Sequence, residues 1–418
     1  MSNSLFTSYD ANGSVVADDT TRFMVISGGN INIEETTEAI AEIPIRDAGT
    51  FSNAFVYVPA NTGSVGTTVT LRKSQADTAL KITMSADQTG VIEDTSNTVT
   101  FAATDEATWE VTVPVEAGTN NTTITLYGVQ FAPTTTTDCL TKLVNHGAGT
   151  NTGNAASGFY VIPAGANGAI TAEANAKVRN KATSTLSDLY VYVSANAKAV
   201  DSTTYRTRVN GANGNQSVVY AAAETGVKED TSNSDSLAVG DDFNYQIITS
   251  STEVNAITWN LISTSYLTTS ASFMMLGGRT TATTVNFNVT TYTATEGDLT
   301  FSTTIANSQV YPRFTFTAKD LGAFVSANSI ATSASTIHLM DNGAASDMTV
   351  SYAAAETGLK NDTSNTAVIT SGTDEVNYRV ITPNTSGILT LKWIATLDNV
   401  SAVEAGRFPY LNLLGVGT

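Results

Sequence analysis

Cysteine and histidine are nearly absent from this sequence. Its 418 residues include one cysteine, Cys139, and two histidines, His146 and His338. A single cysteine excludes an intramolecular disulfide, and without a partner pattern we interpret Cys139 as a small apolar filler rather than a nucleophile. The two histidines occupy unrelated positions, which argues against a Ser-His-Asp triad and against a histidine-rich metal site.

Basic residues are also few. Lys and Arg number 20 against 38 Asp and Glu, so the formal net charge is −18 and the isoelectric point is about 4.4. The basic residues are dispersed, which argues against binding to nucleic acid or to an anionic membrane, because both need a dense set of Lys and Arg side chains. We attribute the acidic excess to solubility, with recruitment of divalent cations as the alternative.

Charged residues of both signs make up only 14% of the chain, well below the usual level of about a quarter. Thr, Ser, Asn and Ala take their place, which is typical of a β-protein with a neutral, hydroxyl-rich surface suited to packing against other copies. No stretch reaches the roughly 18 apolar residues that a membrane-spanning helix needs. The first residues lack the charged and apolar regions of a signal peptide, so we expect folding in a cytosol.

One segment, Thr-Gly-x-x-Glu/Asn-Asp-Thr-Ser-Asn, occurs three times. The copies are at 89–97, 225–233 and 357–365. Their glycines are 136 and 132 residues apart, which is the size of a domain rather than of a short repeat. An alternating strand pattern with a central aromatic residue follows each copy, at Trp109, Tyr245 and Tyr378. We predict that these aromatics are core residues, with a sugar-stacking platform as the alternative.

The strand patterns predict an all-β fold. Apolar and polar residues alternate, and turn signals such as Asn-Gly recur about every 8–12 residues, as in a sandwich or jelly roll. We predict three tandem homologous β-sandwich domains of jelly-roll-like type, at 1–132, 133–278 and 279–418. Linkers are predicted at 132–138 and 277–284. Residues 33–43 could be read as a helix, but we predict a strand there.

The repeated segment has two interpretations. In the structural one, glycine supplies a turn conformation closed to other residues, while Asp and Asn side chains cap backbone N–H groups. The residues of this structural turn are Gly90, Gly226, Gly358, Asn97, Asn233 and Asn365. In the alternative, carboxylates bind calcium, and the candidates are Glu93, Asp94, Glu229, Asp230 and Asp362. Asn361 replaces the first acid in the third copy, so we favour the structural interpretation.

No catalytic motif is recognisable. The chain has no Gly-x-Ser-x-Gly nucleophile motif, no phosphate-binding loop and no dinucleotide-binding fingerprint. Adjacent acids such as Asp105 and Glu106 would point to opposite faces of a strand and could not act on one substrate. We therefore predict no active site, no enzymatic activity, and no cofactor beyond the calcium alternative.

Two segments that lead into the repeated motif, at 71–78 and 208–215, resemble structural proteins of tailed bacteriophages, especially of aquatic phages. The resemblance extends loosely over the whole chain. It implies a jelly roll or related sandwich that assembles into the phage particle. The third copy departs from it, because we expect His338 at the position of Arg72 and Arg208, so a surface built on that arginine would be missing there.

The resemblance and the repeats together predict a non-enzymatic virion structural protein on the particle exterior, either a capsid decoration protein or a head fibre. Its partners would be the major capsid protein or other virion proteins, and we expect a homo-oligomer, with a trimer as one arrangement; three similar domains in one chain could also mimic a trimer. One alternative is a tail fibre or receptor-binding protein that recognises a host surface glycan. A further alternative is a bacterial cell-surface adhesin or S-layer-like protein, and a glycan depolymerase is the most remote. The expected location is the virion, assembled in the host cytoplasm.

Overall fold

Strands form most of the molecule. The computed structural model describes residues 4–17, 19–29, 35–63, 66–115, 121–134, 139–151, 158–166, 168–249, 253–268, 272–383 and 386–400. In this structure 67% of the residues are in strands and 3% are in helices, so the prediction of an all-β fold is confirmed. Among the described residues no helix has the length and apolar character needed to cross a bilayer.

The first set of strands is called unit 1. Its strands are β1 (Ser4–Ala17), β2 (Thr20–Met24), β3 (Ile43–Pro44), β4 (Gly49–Val58), β5 (Ala60–Asn61), β6 (Thr68–Lys73), β7 (Ala76–Thr83), β8 (Gly90–Phe101), β9 (Glu106–Val113) and β10 (Asn121–Pro133). One sheet has the order β1-β10-β4-β8 and the other β2-β9-β6-β7, while β5 pairs with β10 and β3 with β9. A short 3₁₀ helix, Glu38–Ile40, precedes β3.

The second set is unit 2. Its strands are β11 (Cys139–Asn151), β12 (Phe159–Val161), β13 (Gly165–Ala166), β14 (Val178–Arg179), β15 (Ser184–Asn196), β16 (Thr203–Val209), β17 (Ala212–Tyr220), β18 (Gly226–Leu237), β19 (Asp242–Ile248) and β20 (Ile257–Thr268). Its sheets are β11-β20-β15-β18 and β12-β19-β16-β17, with β14 beside β19. The 3₁₀ helix Glu173–Asn175 lies before β14.

The third set is unit 3. Its strands are β21 (Ser272–Asn286), β22 (Thr290–Thr293), β23 (Gly297–Asp298), β24 (Phe316–Asn328), β25 (Ser335–Asp341), β26 (Ala344–Tyr352), β27 (Gly358–Ile369), β28 (Val376–Ile381) and β29 (Ile388–Val400). Its sheets are β21-β29-β24-β27 and β22-β28-β25-β26. The 3₁₀ helix Ile305–Ser308 precedes β24.

The same strand order therefore recurs in all three units. This is the strand order found in the two four-stranded sheets of a jelly roll. Strand β13 pairs in parallel with both β11 and β21, which joins one sheet of unit 2 to one sheet of unit 3. The aromatic residues Trp109, Tyr245 and Tyr378 are buried, as the sequence predicted.

Two boundary predictions need correction. Residues 277–284, predicted as a linker, lie inside strand β21, which pairs with β29 and so belongs to unit 3. Within 33–43, predicted as a strand, Glu38–Ile40 forms a 3₁₀ helix, and residues 33 and 34 lie outside the described residues. In the other predicted linker, 132–138, strand β10 continues to Pro133, and residues 135–138 lie outside the described part.

An ion pair holds the 3₁₀ helix against strand β6 in unit 1. Arg72 donates from Nε to Glu38 Oε1 at 2.7 Å and from Nη2 to Oε2 at 3.0 Å. Unit 2 repeats this bidentate pair with Arg208 and Glu173, at 3.0 and 3.1 Å. Such paired hydrogen bonds between guanidinium and carboxylate fix both distance and orientation.

Unit 3 replaces both partners of this ion pair by apolar residues. Met340 pairs with Asn377 in the register in which Arg72 pairs with Thr108, so Met340 occupies the arginine position. The prediction that His338 stands there is wrong by two residues. Ile305 follows the N-cap of its helix just as Glu38 does. The third unit thus has an apolar pair of residues where the others have a charged pair.

This replacement predicts a double-mutant result. Arg72→Met alone should lower the free energy of unfolding by about 3 kcal/mol, because Glu38 would remain largely buried without its partner. The double variant E38I/R72M, which has the unit 3 residues at these two positions, should recover part of this loss, because Glu110 would still lack its contact with Arg72. Urea denaturation followed by tryptophan fluorescence would measure both. A double variant no more stable than R72M would contradict the idea that the apolar pair of unit 3 can replace the ion pair of unit 1.

Candidate functional site

The repeated segment forms an edge strand of a sheet in each unit. Strands β8, β18 and β27 begin at Gly90, Gly226 and Gly358, whose φ angles of 90°, 94° and 99° favour glycine. Contrary to the prediction of a turn, the strand continues through this segment and contains a bulge. In unit 1, Asp94 pairs with Ala54 and Thr98 with Ser52, so three residues of β8 stand opposite one residue of β4.

An aspartate holds each bulge together. Asp94 Oδ1 accepts hydrogen bonds from the backbone N–H groups of Ser96 and Asn97, both at 3.1 Å. Its Oδ2 accepts from the Asn97 side-chain amide at 2.9 Å and from the backbone N–H of Lys81 at 3.0 Å. Because Lys81 lies in β7, the edge strand of the other sheet, this carboxylate joins the two sheets at their open edge.

The other two units have the same arrangement. Asp230 accepts from the backbone N–H of Ser217 in β17, and Asp362 from that of Thr349 in β26, both at 2.9 Å. Burial raises the pKa of each of the three aspartates, but the hydrogen bonds outweigh burial and lower the pKa below its ordinary value. Unpaired N–H groups on sheet edges invite pairing with other chains, and the bulge and its aspartate obstruct such pairing.

The remaining calcium candidates lie in ion pairs. Glu93 contacts Arg313 of unit 3, with 2.7 Å between Oε2 and Nη2, and Glu229 pairs with Arg46 of unit 1. Within the described ranges no group of three or more His, Cys, Asp or Glu side chains could hold a metal ion. Calcium binding at these acids stays a prediction.

These ion pairs belong to a closed ring of contacts between units. Arg46, Lys181 and Arg313 occupy equivalent positions, each three residues before the long strand β4, β15 or β24. Arg46 of unit 1 contacts unit 2. Lys181 of unit 2 contacts unit 3, where its amine lies 3.2 Å from Asp320 Oδ1 and 3.3 Å from Asn361 Oδ1. Arg313 of unit 3 contacts unit 1, so the ring closes with pseudo-threefold symmetry.

A second set of equivalent contacts lies close to the axis of this ring. Gly28, Gly165 and Gly297 follow β2, β12 and β22 and have φ angles of 66°, 83° and 100°. Each packs against the first strand of the next unit, and a Cβ at Gly297 would lie 2.7 Å from the backbone nitrogen of Tyr9 in β1. Both the backbone conformation and the close approach therefore require glycine.

The outer face of one sheet in each unit supplies the apolar part of the contact. Leu126, Leu261 and Trp393 occupy equivalent positions in β10, β20 and β29. Leu126 packs in the core of unit 3, Leu261 in that of unit 1, and Trp393 in that of unit 2. Trp393 Nε1 also donates to the backbone carbonyl of Lys177, at 2.7 Å. Each of the three strands is therefore buried on both faces.

The three ring-forming cations were not among the residues predicted from the sequence. Arg46, Lys181 and Arg313 could have been found by aligning the positions that precede each long strand, since a basic residue recurs there in a chain with few basic residues. The histidines do not meet: His146 is buried in β11, whereas His338 hydrogen-bonds Thr336 and Thr349 within unit 3. Cys139 is a buried thiol in the apolar core.

Comparisons with known proteins give weak likenesses. No family model matches the chain, and no curated protein matches it. Among solved structures, a chain from the atomic structure of Sulfolobus turreted icosahedral virus is 11% identical with a TM-score of 0.19, covering 85% of this chain and 81% of that one. The VP2 subviral particle of infectious bursal disease virus is 7% identical with a TM-score of 0.18, covering 97% and 83%.

A third similar structure is Paenibacillus xanthan lyase, at 14% identity and a TM-score of 0.19. This likeness covers 71% of the present chain and 30% of the lyase. Two of the three structures are thus viral and one is an enzyme. At TM-scores this low, none of them carries an argument about function.

The bulge aspartates predict a loss of stability in acid. A carboxyl whose pKa is lowered by folding stabilises the protein above its unfolded pKa, near 4, and this stabilisation disappears as the pH falls through the lowered value. Asp94→Asn should therefore cost about 2 kcal/mol at pH 7 and progressively less below pH 4. Melting temperatures between pH 7 and pH 2.5 measure this. Asp87→Asn, at an exposed aspartate nearby, is the matched control, and an equal pH profile for both variants would contradict the prediction.

The junction of unit 3 with unit 1 closes the ring without a covalent link between these units. Arg313 stacks over the ring of Phe55, 4.5 Å from its centroid, besides pairing with Glu93. We expect Arg313→Glu to lower stability by about 2 kcal/mol, through lost stacking and like-charge repulsion. The charge swap E93R/R313E should restore part of this loss, because the ion pair returns without the stacking. Thermal melts measure both variants. A swap variant no more stable than R313E would contradict the ion pair between Arg313 and Glu93.

Proposed function

We propose that this chain is a non-enzymatic structural protein on the exterior of a virus particle, as a capsid decoration protein or head fibre. The observation that carries this proposal is the closed ring, in which three equivalent units meet through equivalent contacts. A ring of this kind presents each surface feature three times around one axis. Repeated surfaces suit attachment to an array of identical subunits, whereas catalysis requires one well-formed site.

We further propose that each unit is one jelly-roll domain. The first boundary stays near 132–133, where β10 ends. The second moves from 278 to the interval between Thr268 and Ser272, because β21 pairs within unit 3. In this proposal one chain takes the place of a homotrimer, since the faces through which separate domains would trimerise are already occupied within the ring.

The surface supports a role in assembly. Exposed apolar side chains occur at the same end of all three units. They lie in or beside the loop between the first and second strands and the loop between the last two strands. In unit 2 one of them lies in the loop after β15. These side chains are Val15, Val115, Val200, Val254, Phe287 and Ile388, six of the eleven large apolar side chains that are exposed among the described residues; Val239 and Val368, after β18 and at the end of β27, lie at the opposite end of their units. Apolar side chains gathered at one end are typical of surfaces that contact other proteins. The proposed partners are the major capsid protein or other virion proteins.

The test is quantitative mass spectrometry of gradient-purified particles from the source culture, scaled to the major capsid protein. A copy number that is a large fraction of that of the major capsid protein is expected. A handful of copies per particle would contradict the decoration role and favour a tail fibre that recognises a host glycan. Absence from particles would overturn the virion proposal and favour a cell-surface adhesin or S-layer-like protein.

A further inference from the structure

A small cavity lies on the pseudo-threefold axis of the ring. Ser27, Ala164 and Glu296 are equivalent positions, each directly before one of the three axial glycines, and all three line this cavity. Its volume is about 10 Å³, which is close to the space that a single water-sized occupant needs. The cavity is thus formed jointly by the three units and has room for one small particle.

Glu296 brings an ionisable group to this cavity, where the other units have small side chains. It is 3% exposed. Its Oε2 accepts hydrogen bonds from the backbone N–H of Thr7 at 3.1 Å and from the Thr7 hydroxyl at 2.7 Å. Its Oε1 is buried without a hydrogen-bond partner. Two donors on one oxygen suit an ionised carboxylate, and the second oxygen then lacks a positive partner.

The basic side chain in the cavity wall does not supply that partner. Lys142 also lines the cavity, but its amine donates to Ser265 Oγ at 2.6 Å. Burial lowers the pKa of Lys142 to about 7, and the charges that act on this amine are Asp188, Arg46 and Asp47 rather than Glu296. In the described part of the chain no Lys, Arg or His side chain forms an ion pair with Glu296.

We propose that this cavity binds one monovalent alkali cation at Glu296 Oε1. Carboxylate, hydroxyl and carbonyl oxygens are the ligands that hard cations prefer, and Ser27 and Thr141 contribute to the same wall. One carboxylate neutralises one positive charge, so a divalent ion would leave an uncompensated charge in a buried site. The small volume excludes an organic cation.

The cation and a proton compete for the same oxygen. Without a cation, burial raises the pKa of Glu296 to about 8, although the hydrogen bonds from Thr7 oppose this. The charge of Glu296 also acts on Asp398 and Tyr378, and burial raises the pKa of both well above the ordinary values. Asp298, beyond the next glycine, faces Arg279 at 3.4 Å.

The direction of the pH effect follows from this competition. A carboxyl whose pKa is raised by folding stabilises the protein below its unfolded pKa, and that stabilisation is lost as the pH rises through the folded value. Stability without a cation should therefore fall between about pH 4.5 and pH 8. Above pH 8 Glu296 is ionised and Lys142 is neutral, so cation binding should then have its largest effect.

The experiment uses the full chain at pH 9 with EDTA present to remove divalent ions. The melting temperature is measured in sodium, potassium or choline chloride at constant ionic strength. We expect sodium or potassium to raise the melting temperature by several degrees over choline, in a saturable manner, and to have no such effect at pH 5. Equal melting temperatures in all three salts at pH 9 would overturn the proposal and leave water as the occupant.

Two variants locate the effect. Glu296→Gln keeps the size of the side chain and the acceptor for Thr7, and it should lose the cation dependence. Glu356→Gln, at a partly exposed acid of unit 3, should keep it. A cation effect that survives in E296Q would overturn the assignment. Crystals soaked in rubidium or thallium(I) chloride give a second readout, with an anomalous peak expected beside Glu296 Oε1 and a peak only elsewhere counting against the site.

Discussion

Burial of both faces of one sheet is the constraint on which the rest of the molecule depends. In an isolated jelly roll each sheet buries its inner face and presents its outer face to solvent. Here the outer face of the sheet containing β10, β20 or β29 is apolar, with Leu126, Leu261 and Trp393 at its centre. Each unit contributes one of these side chains, and in an isolated unit the outer face around it would be an exposed apolar patch. Packing each outer face on the preceding unit removes the patch, and three such contacts close a ring.

The three junctions meet this constraint with different side chains. Phe55 and Tyr190 occupy equivalent positions in units 1 and 2, and each pairs with the glutamate position of the adjacent edge strand. Unit 3 has Gly322 there, and a Cβ on it would approach the Lys181 amine to 2.7 Å. The small residue makes room for the buried amine that contacts Asp320. An aromatic contact in one junction is thus exchanged for a hydrogen-bonded ion pair in another, while the backbone arrangement is kept.

The repeated aspartates bear on function through the sheet edges. An uncovered edge strand would allow chains to add to one another by backbone pairing, in any number. Asp94 and its counterparts bond the N–H groups of the neighbouring edge strand and hold a bulge there. This leaves faces and loops, rather than edges, as the surfaces available to partners. Such surfaces permit attachment with a defined number of copies, as the proposed decoration role requires.

Local features of the fold could be predicted from the sequence, and some local patterns were misleading. The alternation around Trp109 and the capping chemistry of Asp94 each depend on residues close in the chain, so both were visible. Residues 277–284 have the Gly-Thr composition of a linker. They nevertheless form strand, because β29 pairs with them and the axial glycine Gly165 packs on Gly278. His338 was misplaced because the repeats differ in loop length, which only strand register resolves.

The sequence by itself determined the all-β class and the threefold repetition, because strand periodicity and turn chemistry are encoded over a few residues. Only the tertiary structure decided how the repeats associate. The contacts Arg46–Glu229 and Arg313–Glu93 join residues far apart in the chain, and nothing in local pattern marks one basic residue as the partner of one acid. The cavity at Glu296 is lined by residues of all three units, so its position follows from ring closure and not from any one repeat.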